Sequence, residues 1–532
     1  MRKPSSLSSI LSLLLLLTSL SFAQEQPKQD WSKQQARPVV EWARDGVVYE
    51  IFQRVFSGQG GFNGITARLD ELKKTGVDVL WLMPLNPIGQ EKKKGTIGSP
   101  YAVRDYYGVN PAYGTPADLK RLVREAHARN MKVIVDVVYN HTSWDNPLLT
   151  KHPEWYHKGK DGKPTYPFDW TDIAWLDYSN PALRAYIIDV MKHWVREYDI
   201  DGFRCDVAHQ VPVDFWEQAR VAVDQVKPGL FWLAEAHIPS YMVKAFDADY
   251  SWPLLHAINK VFWGEEPATA LREEWETERK TFPQGTVHLR IADNHDESRL
   301  VVRVGEKAAL AAQAFVFTID GIPLVYNGQE VGDTAESGAP ALFERVPITW
   351  NIAERRPHHP RFFRQMIALR KASTALRRGT LEWVNNSEEK SVLSFVRRAG
   401  GEEVLVVINT AGATVSTILP SIVPDGWTDV TPDLKNDVGK PKPAPTAAAF
   451  HLEPWGFRIL RRTAKAAERV ARASRPRSKV CSAGVPPAKR KVGGVAPATP
   501  PARQGGGCSA GVPAREARWG VARASPPASI QA

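Results

Sequence analysis

The sequence predicts an α/β protein built on a parallel sheet, either an open stack or a closed barrel, followed by a small all-β domain. Three observations carry this expectation. Residues 46–376 alternate strand-like and helix-like patterns. Polar residues such as Asn140, Asp206 and Glu235 close successive apolar strands, and in both architectures ligands meet the carboxyl ends of the strands. Residues 380–460 then switch to short alternating strands.

Val47 to Phe56 reads as the first strand, followed by an amphipathic stretch from Ile65 to Thr75. Val79 to Met83 is an apolar run, and Pro116 to Asn130 reads as a helix with Leu119, Leu122 and Ala126 on its apolar face. Val133 to Val138 is a β-branched run broken by one aspartate, the pattern of a strand buried on both faces. Pro181 to Tyr198 is helical, with Asn180 as N-cap and Pro181 at the first helical position. The alternation continues through strand Gly202 to Asp206, helix Val213 to Val226 and strand Leu230 to Glu235. Strand His288 to Ala292, helix Lys307 to Thr318, strand Ile322 to Tyr326 and helix Pro360 to Ala375 complete it. Residues 141–179 are too long for an ordinary strand-to-helix loop and hold Trp144, Trp155, Tyr156, Tyr166, Trp170 and Trp175. An excursion roofing the active face is expected there. Ser391 to Arg397, Glu403 to Ile408 and Gly456 to Arg461 read as strands of a β-sandwich over 377–461.

The two ends differ from this body. Arg2 and Lys3, the apolar run Leu11 to Leu17, and Ser21 and Ala23 before a cut form an export signal over 1–23. The mature chain is expected to start near Gln24, with residues 24–45 as a lead-in, in a secreted or periplasmic protein. No second stretch is long and apolar enough to span a membrane, so no stable insertion is expected. The chain of 532 residues carries +11, but fifteen Lys/Arg against two acidic residues lie from Arg461 onward. That tail alone is +13, which leaves −2 for residues 1–460 and gives no support to a nucleic-acid-binding body. Residues 462–532, rich in Ala, Pro, Arg, Gly and Ser, read as a basic disordered tail in which Cys481 to Pro486 recurs as Cys508 to Pro513. Only Cys205 lies in the body, so no disulfide and no paired-cysteine zinc site can form there.

The chemistry gathers at strand ends. Asp136 and Asn140-His141 close one strand, Arg204 and Asp206 another, Glu235 a third, and Asn294-His295-Asp296 follows a fourth. Converging carboxylates suit glycosidic cleavage, in which one protonates the leaving oxygen and another attacks the sugar carbon.

Four ordered segments give these residues a context: Asp136-Val-Val-Tyr-Asn-His141, Gly202-Phe-Arg-Cys-Asp-Val-Ala208, Phe231-Trp-Leu-Ala-Glu235 and Asp293-Asn-His-Asp296. With the flanking segments Ser99 to Tyr106 and Gly321 to Glu330, the chain resembles the α-amylase family of glycoside hydrolases from about Val47 to Arg461. The resemblance implies a (β/α)8 TIM barrel, an insertion after the third strand and a C-terminal antiparallel β domain. It implies Asp206 as nucleophile, Glu235 as general acid/base and Asp296 as the carboxylate that stabilises the transition state. It further implies sugar contacts from His141 and His295, Tyr101 stacking beneath the ring, Asp136 bracing the pocket and Arg204 holding Asp206 ionised. Glu235 has no cation near it in sequence, so it is the expected proton carrier. The implied partners are α-glucan polysaccharides and maltooligosaccharides, and the implied reaction is retaining hydrolysis of α-1,4 bonds. Transglycosylation, or a cyclomaltodextrinase or neopullulanase activity, is the alternative, and a non-catalytic glucan-binding protein a remote one.

Two positions depart from the starch-degrading pattern. His209-Gln210 stands where Lys-His is typical; the run Asp206 to Val211, with Phe215-Trp216 beyond it, looks more like the cyclomaltodextrin- and pullulan-hydrolysing branch, where Asn-Glu is usual, and His237 stands where an aromatic residue is common. The family also often binds calcium between barrel and excursion. Asn140, Asp177 and a backbone carbonyl near Gln210 are the expected ligands of a structural Ca2+.

Overall fold

The computed structural model describes residues 29–463 except 59, 424, 438–440 and 444–447. The export signal and the basic tail beyond Thr463, with Cys481 and Cys508, lie outside the described residues; Arg462 and Thr463, expected to open that tail, instead end the last described strand.

Eight parallel strands close into a barrel, each hydrogen-bonded to its sequence neighbours and the eighth to the first. They are Val48–Ile51, Val79–Leu82, Lys132–Val137, Gly202–Cys205, Phe231–Ala234, Ala248–Tyr250, Val287–Arg290 and Ile322–Tyr326. Alternate residues point to opposite faces. Val48, Ile134, Leu233, Tyr250, Leu289 and Leu324 fill the barrel interior. Tyr49, Leu80, Val133, Val135 and Phe203 face the surrounding helices. Burial on both faces is why these strands read as continuous apolar runs. The fourth strand needs its leading glycine, because a Cβ on Gly202 would lie 2.0 Å from the carbonyl oxygen of Phe231 on the neighbouring strand.

Local signals set the helix ends. Thr115 and Asp118 form a reciprocal capping box at Pro116–Ala128. Asn180 accepts from the Ala182 N–H at Pro181–Tyr198, and that helix ends on Asp199 in the left-handed conformation. The expected helix over 65–75 is two pieces, Gly61–Thr66 and Leu69–Thr75. The expected first strand stops at Ile51, where residues 52–56 turn. The sixth barrel strand was not foreseen. It is three residues long and centred on Asp249, so no apolar run marks it. The helices Trp252–Trp263 and Thr269–Thr281 that follow it were also missed.

The excursion is pinned by a short antiparallel pair, His141–Ser143 with Ile173–Trp175. Beyond the barrel, a six-stranded antiparallel sheet containing Val392–Ala399, Glu402–Asn409 and Phe457–Thr463 is backed by the pair Val415–Ile418 and Ala449–Leu452. Val396, Leu405, Val407, Phe450 and Leu452 pack between these layers. The sheet docks on helix Glu306–Thr318, where Phe315 meets Phe395 at 6.2 Å and the Arg397 guanidinium donates to the Thr318 carbonyl at 2.7 Å. That helix carries almost no polar face because barrel and sheet cover it from both sides. Among the described residues no helix is long and apolar enough to cross a membrane.

Candidate active site

The carboxyl ends of the barrel strands open into a cleft of about 360 Å3 whose lining includes Tyr101, His141, Trp170, Asp206, Glu235 and Asp296. Its floor is organised by Arg204, fully buried on the fourth strand and directly opposite Asp136 of the third in the sheet register. One guanidinium nitrogen, Nη1, donates to Asp136 Oδ1 at 3.0 Å and to Asp206 Oδ1 at 2.9 Å. The other, Nη2, lies 3.0 Å from Glu235 Oε2, and Nε donates to the Tyr250 hydroxyl at 3.2 Å. Glu235 has no cation near it in sequence, but barrel closure brings it to the same cation that holds Asp206.

Three carboxyls around one guanidinium leave negative charge uncompensated. Burial pushes Asp206 well above the usual carboxylate range, and the nearby Glu235 charge adds to this while Arg204 opposes it. Burial likewise moves Asp136 up to about 6 against the pull of Arg204. Asp206 Oδ1 is held by Arg204, whereas the buried Oδ2 has no hydrogen-bond partner among the described residues. Val207 follows in the left-handed region (φ 43°, ψ 41°), a strained conformation for a β-branched residue. Its N–H donates to Glu235 Oε2 at 2.7 Å.

The two histidines differ in charge. Burial lowers His141 to about 4, so it is neutral. Burial would also lower His295, but Asp296 and Glu50 outweigh it and lift the ring to about 9. His295 is ion-paired through Nδ1 to Glu50 and lies 3.2 Å from Asp296 Oδ2 through Nε2. The Tyr101 ring stacks on His295 at 5.5 Å, and its hydroxyl bonds His295 Nε2 at 2.7 Å and Asp136 Oδ2 at 3.1 Å. Glu50, Trp81 and Tyr250 were missed in the sequence. Glu50 left a signal there, as a lone acid inside an apolar strand.

Other expected residues are placed differently. Of the excursion's tryptophans, Trp170 lines the cleft with its edge toward His141 at 5.8 Å, but Trp155 is buried against Tyr186 and is not a cleft wall. An ion pair from Lys94 to Asp172 ties the loop after the second strand to the excursion. Asn140 Oδ1 accepts from the Trp175 indole at 3.1 Å, and Asp177 Oδ1 accepts from the Ser179 N–H at 2.9 Å. These bonds anchor the excursion, and Asp177 is the one carboxylate in the expected set. His237 turns away from the cleft and bonds the Tyr250 carbonyl through Nδ1 at 3.0 Å. His209 is exposed, its Nδ1 3.5 Å from the Glu235 carbonyl.

A family model described as alpha amylase, catalytic domain, matches residues 21–389. The chain belongs to the alpha-amylase family. It is a glycoside hydrolase by that membership. The alpha-amylase MalA of Haloarcula japonica is 31% identical over 326 residues, which are 59% of this chain and 47% of that protein. The chain thus spans about half the length of that relative. A cyclomaltodextrinase of Geobacillus thermopakistaniensis is 25% identical over 78% of each chain. Among solved alpha-amylase structures, a noncanonic maltogenic enzyme of Thermotoga neapolitana superposes with a TM-score of 0.71 at 33% identity, covering 79% of this chain and 99% of that one.

Proposed function

We propose that the protein cleaves α-1,4-glucosidic bonds of starch-like glucans and maltodextrins by double displacement with retention of configuration. The observation that carries this reading is the asymmetry of Asp206, a cleft-lining residue: one oxygen is clamped by Arg204 and the other has no hydrogen-bond partner among the described residues. In the first step Asp206 Oδ2 attacks the anomeric carbon while Glu235 gives its proton to the departing glycosidic oxygen. The C–O bond breaks and a glycosyl ester forms on Asp206. In the second step the Glu235 carboxylate takes a proton from water, whose oxygen attacks the same carbon and releases Asp206. Glu235 suits both steps because the Val207 N–H and Arg204 fix one of its oxygens without burying the side chain completely. Asp296, beside the charged His295, faces the positive charge that develops on the sugar, and neutral His141 offers a hydrogen bond to a hydroxyl.

Relatives named cyclomaltodextrinase and maltogenic amylase are the ground for placing short and cyclic maltodextrins ahead of whole starch as substrates. Proton NMR of maltoheptaose cleavage tests the reading: the new reducing ends should appear first as the α-anomer. A first product of inverted configuration would sink it. Products longer than the substrate would assign transfer instead of hydrolysis.

A further inference from the structure

We propose that His237, Glu278 and His288 form a binding site for a divalent transition metal of the zinc type on the outer face of the barrel. One nitrogen from each ring and one Glu278 oxygen lie within 4.8 Å of one another. His288 Nε2 is 3.9 Å from Glu278 Oε2. Zinc bonds of about 2.0–2.1 Å place tetrahedral ligands roughly 3.3 Å apart, so small side-chain movements close the set.

The surroundings orient these side chains as ligands. His288 Nδ1 meets Asp249 Oδ1 at 2.6 Å, and His237 Nδ1 meets the Tyr250 carbonyl at 3.0 Å. The carbonyl can only accept, and an ionised carboxylate likewise, so each Nδ1 carries the hydrogen and each Nε2 is left for a metal. Asp249 is fully buried, and its Oδ2 has no hydrogen-bond partner among the described residues. The two rings are its nearest charge partners, with His237 Nδ1 4.0 Å from Oδ2. Glu278 is held by Ser251 through Oε1 and by the Arg290 guanidinium through Oε2 at 2.7 Å. Arg290 divides its charge between Glu278 and Asp320, and the carboxylate keeps lone pairs for a metal. Phe282 packs 4.5 Å from His237 and 4.8 Å from His288 and walls the site. The His237 side chain remains 16% exposed, which provides access. Two imidazoles and one carboxylate select zinc-type ions over calcium or magnesium.

The test is titration of the chelator-stripped full chain with Co2+, followed by displacement with Zn2+. One equivalent should bind with the visible absorption of a tetrahedral site and raise Tm. His237→Gln should abolish that band while keeping the wild-type far-UV circular dichroism. Asp249→Asn should weaken binding about 10-fold or more through the lost support of His288. A second trio, Glu306, His358 and His359, is the competing location. His358→Gln should leave the titration unchanged. Absence of a tetrahedral band in the wild type, its survival in His237→Gln, or its loss in His358→Gln would each overturn the assignment. Because His288 is buried, His237→Gln decides the matter even if a His288 variant fails to fold.

Discussion

Asp206, Glu235 and His295 carry separable burdens, and single substitutions should separate them. Asp206→Asn removes the attacking oxygen's charge and should lower turnover by roughly 10⁴–10⁶-fold, even for substrates with activated leaving groups. Glu235→Gln should still form a glycosyl-enzyme from an α-glucosyl fluoride, because fluoride departs with little acid help. Intact-protein mass spectrometry would detect the adduct, and its absence would count against Asp206 as nucleophile. His295 should set an alkaline limit. Its folded value of about 9 lies above the ordinary histidine value of about 6.5, so the charged ring stabilises the fold. That contribution is fully present below about pH 6.5 and is lost as pH rises through about 9. Tm and turnover should therefore both fall across that window, and His295→Gln should flatten the Tm profile there while lowering Tm at pH 7. An unchanged slope in the variant would place the transition elsewhere.

At the scale of elements, the excursion divides its aromatic residues between a sugar-facing wall and its own core. Trp170 lines the cleft, whereas Trp155 is 5% exposed and stacks on His152 at 4.0 Å. Trp170→Ala should raise KM for long maltodextrins several-fold more than for maltotriose, with little change in Tm. Trp155→Ala should cost about 3–5 kcal/mol of stability and reduce activity on all chain lengths alike. Thermal melts and kinetics on a maltooligosaccharide series would distinguish the two patterns. The third and fourth strands are fastened together from their amino ends as well. Asp201, just before the fourth, accepts from the Val133 N–H at 2.9 Å and meets His127, Lys132 and Lys227. Burial alone would raise its pKa, but these partners lower it to about 2.

For the whole molecule, Arg461 and Arg462 on the last described strand, Phe457–Thr463, bind Glu402 and Glu403 across the sheet. Truncation after Thr463 keeps those pairs. It should leave Tm and maltoheptaose turnover nearly unchanged, as the apolar-poor composition of the basic tail implies. A loss of several degrees would give the tail a structural role. The proposed export signal over residues 1–23 is tested by N-terminal sequencing of protein recovered from the medium or periplasm, which should read from Gln24.

Strand periodicity, helix caps and polar residues at strand ends are local properties, and they were legible. Helix Pro181–Tyr198 and strand Ile322–Tyr326 lie where the pattern puts them, and the four segments holding Asp136, Asp206, Glu235 and Asp296 do reach one rim. The sixth strand escaped notice because three residues around a buried aspartate show no period. The sharing of Arg204 between Asp206 and Glu235, the Glu50–His295 pair and the inward turn of Trp155 escaped for a different reason. Each joins atoms from separate strands or loops, 31 positions apart for Arg204 and Glu235 and 245 for Glu50 and His295. Spacing along the chain says which residues arrive at a strand's end. Closure of the barrel, its register and the burial it imposes decide which charges meet there and which oxygen is left without a partner.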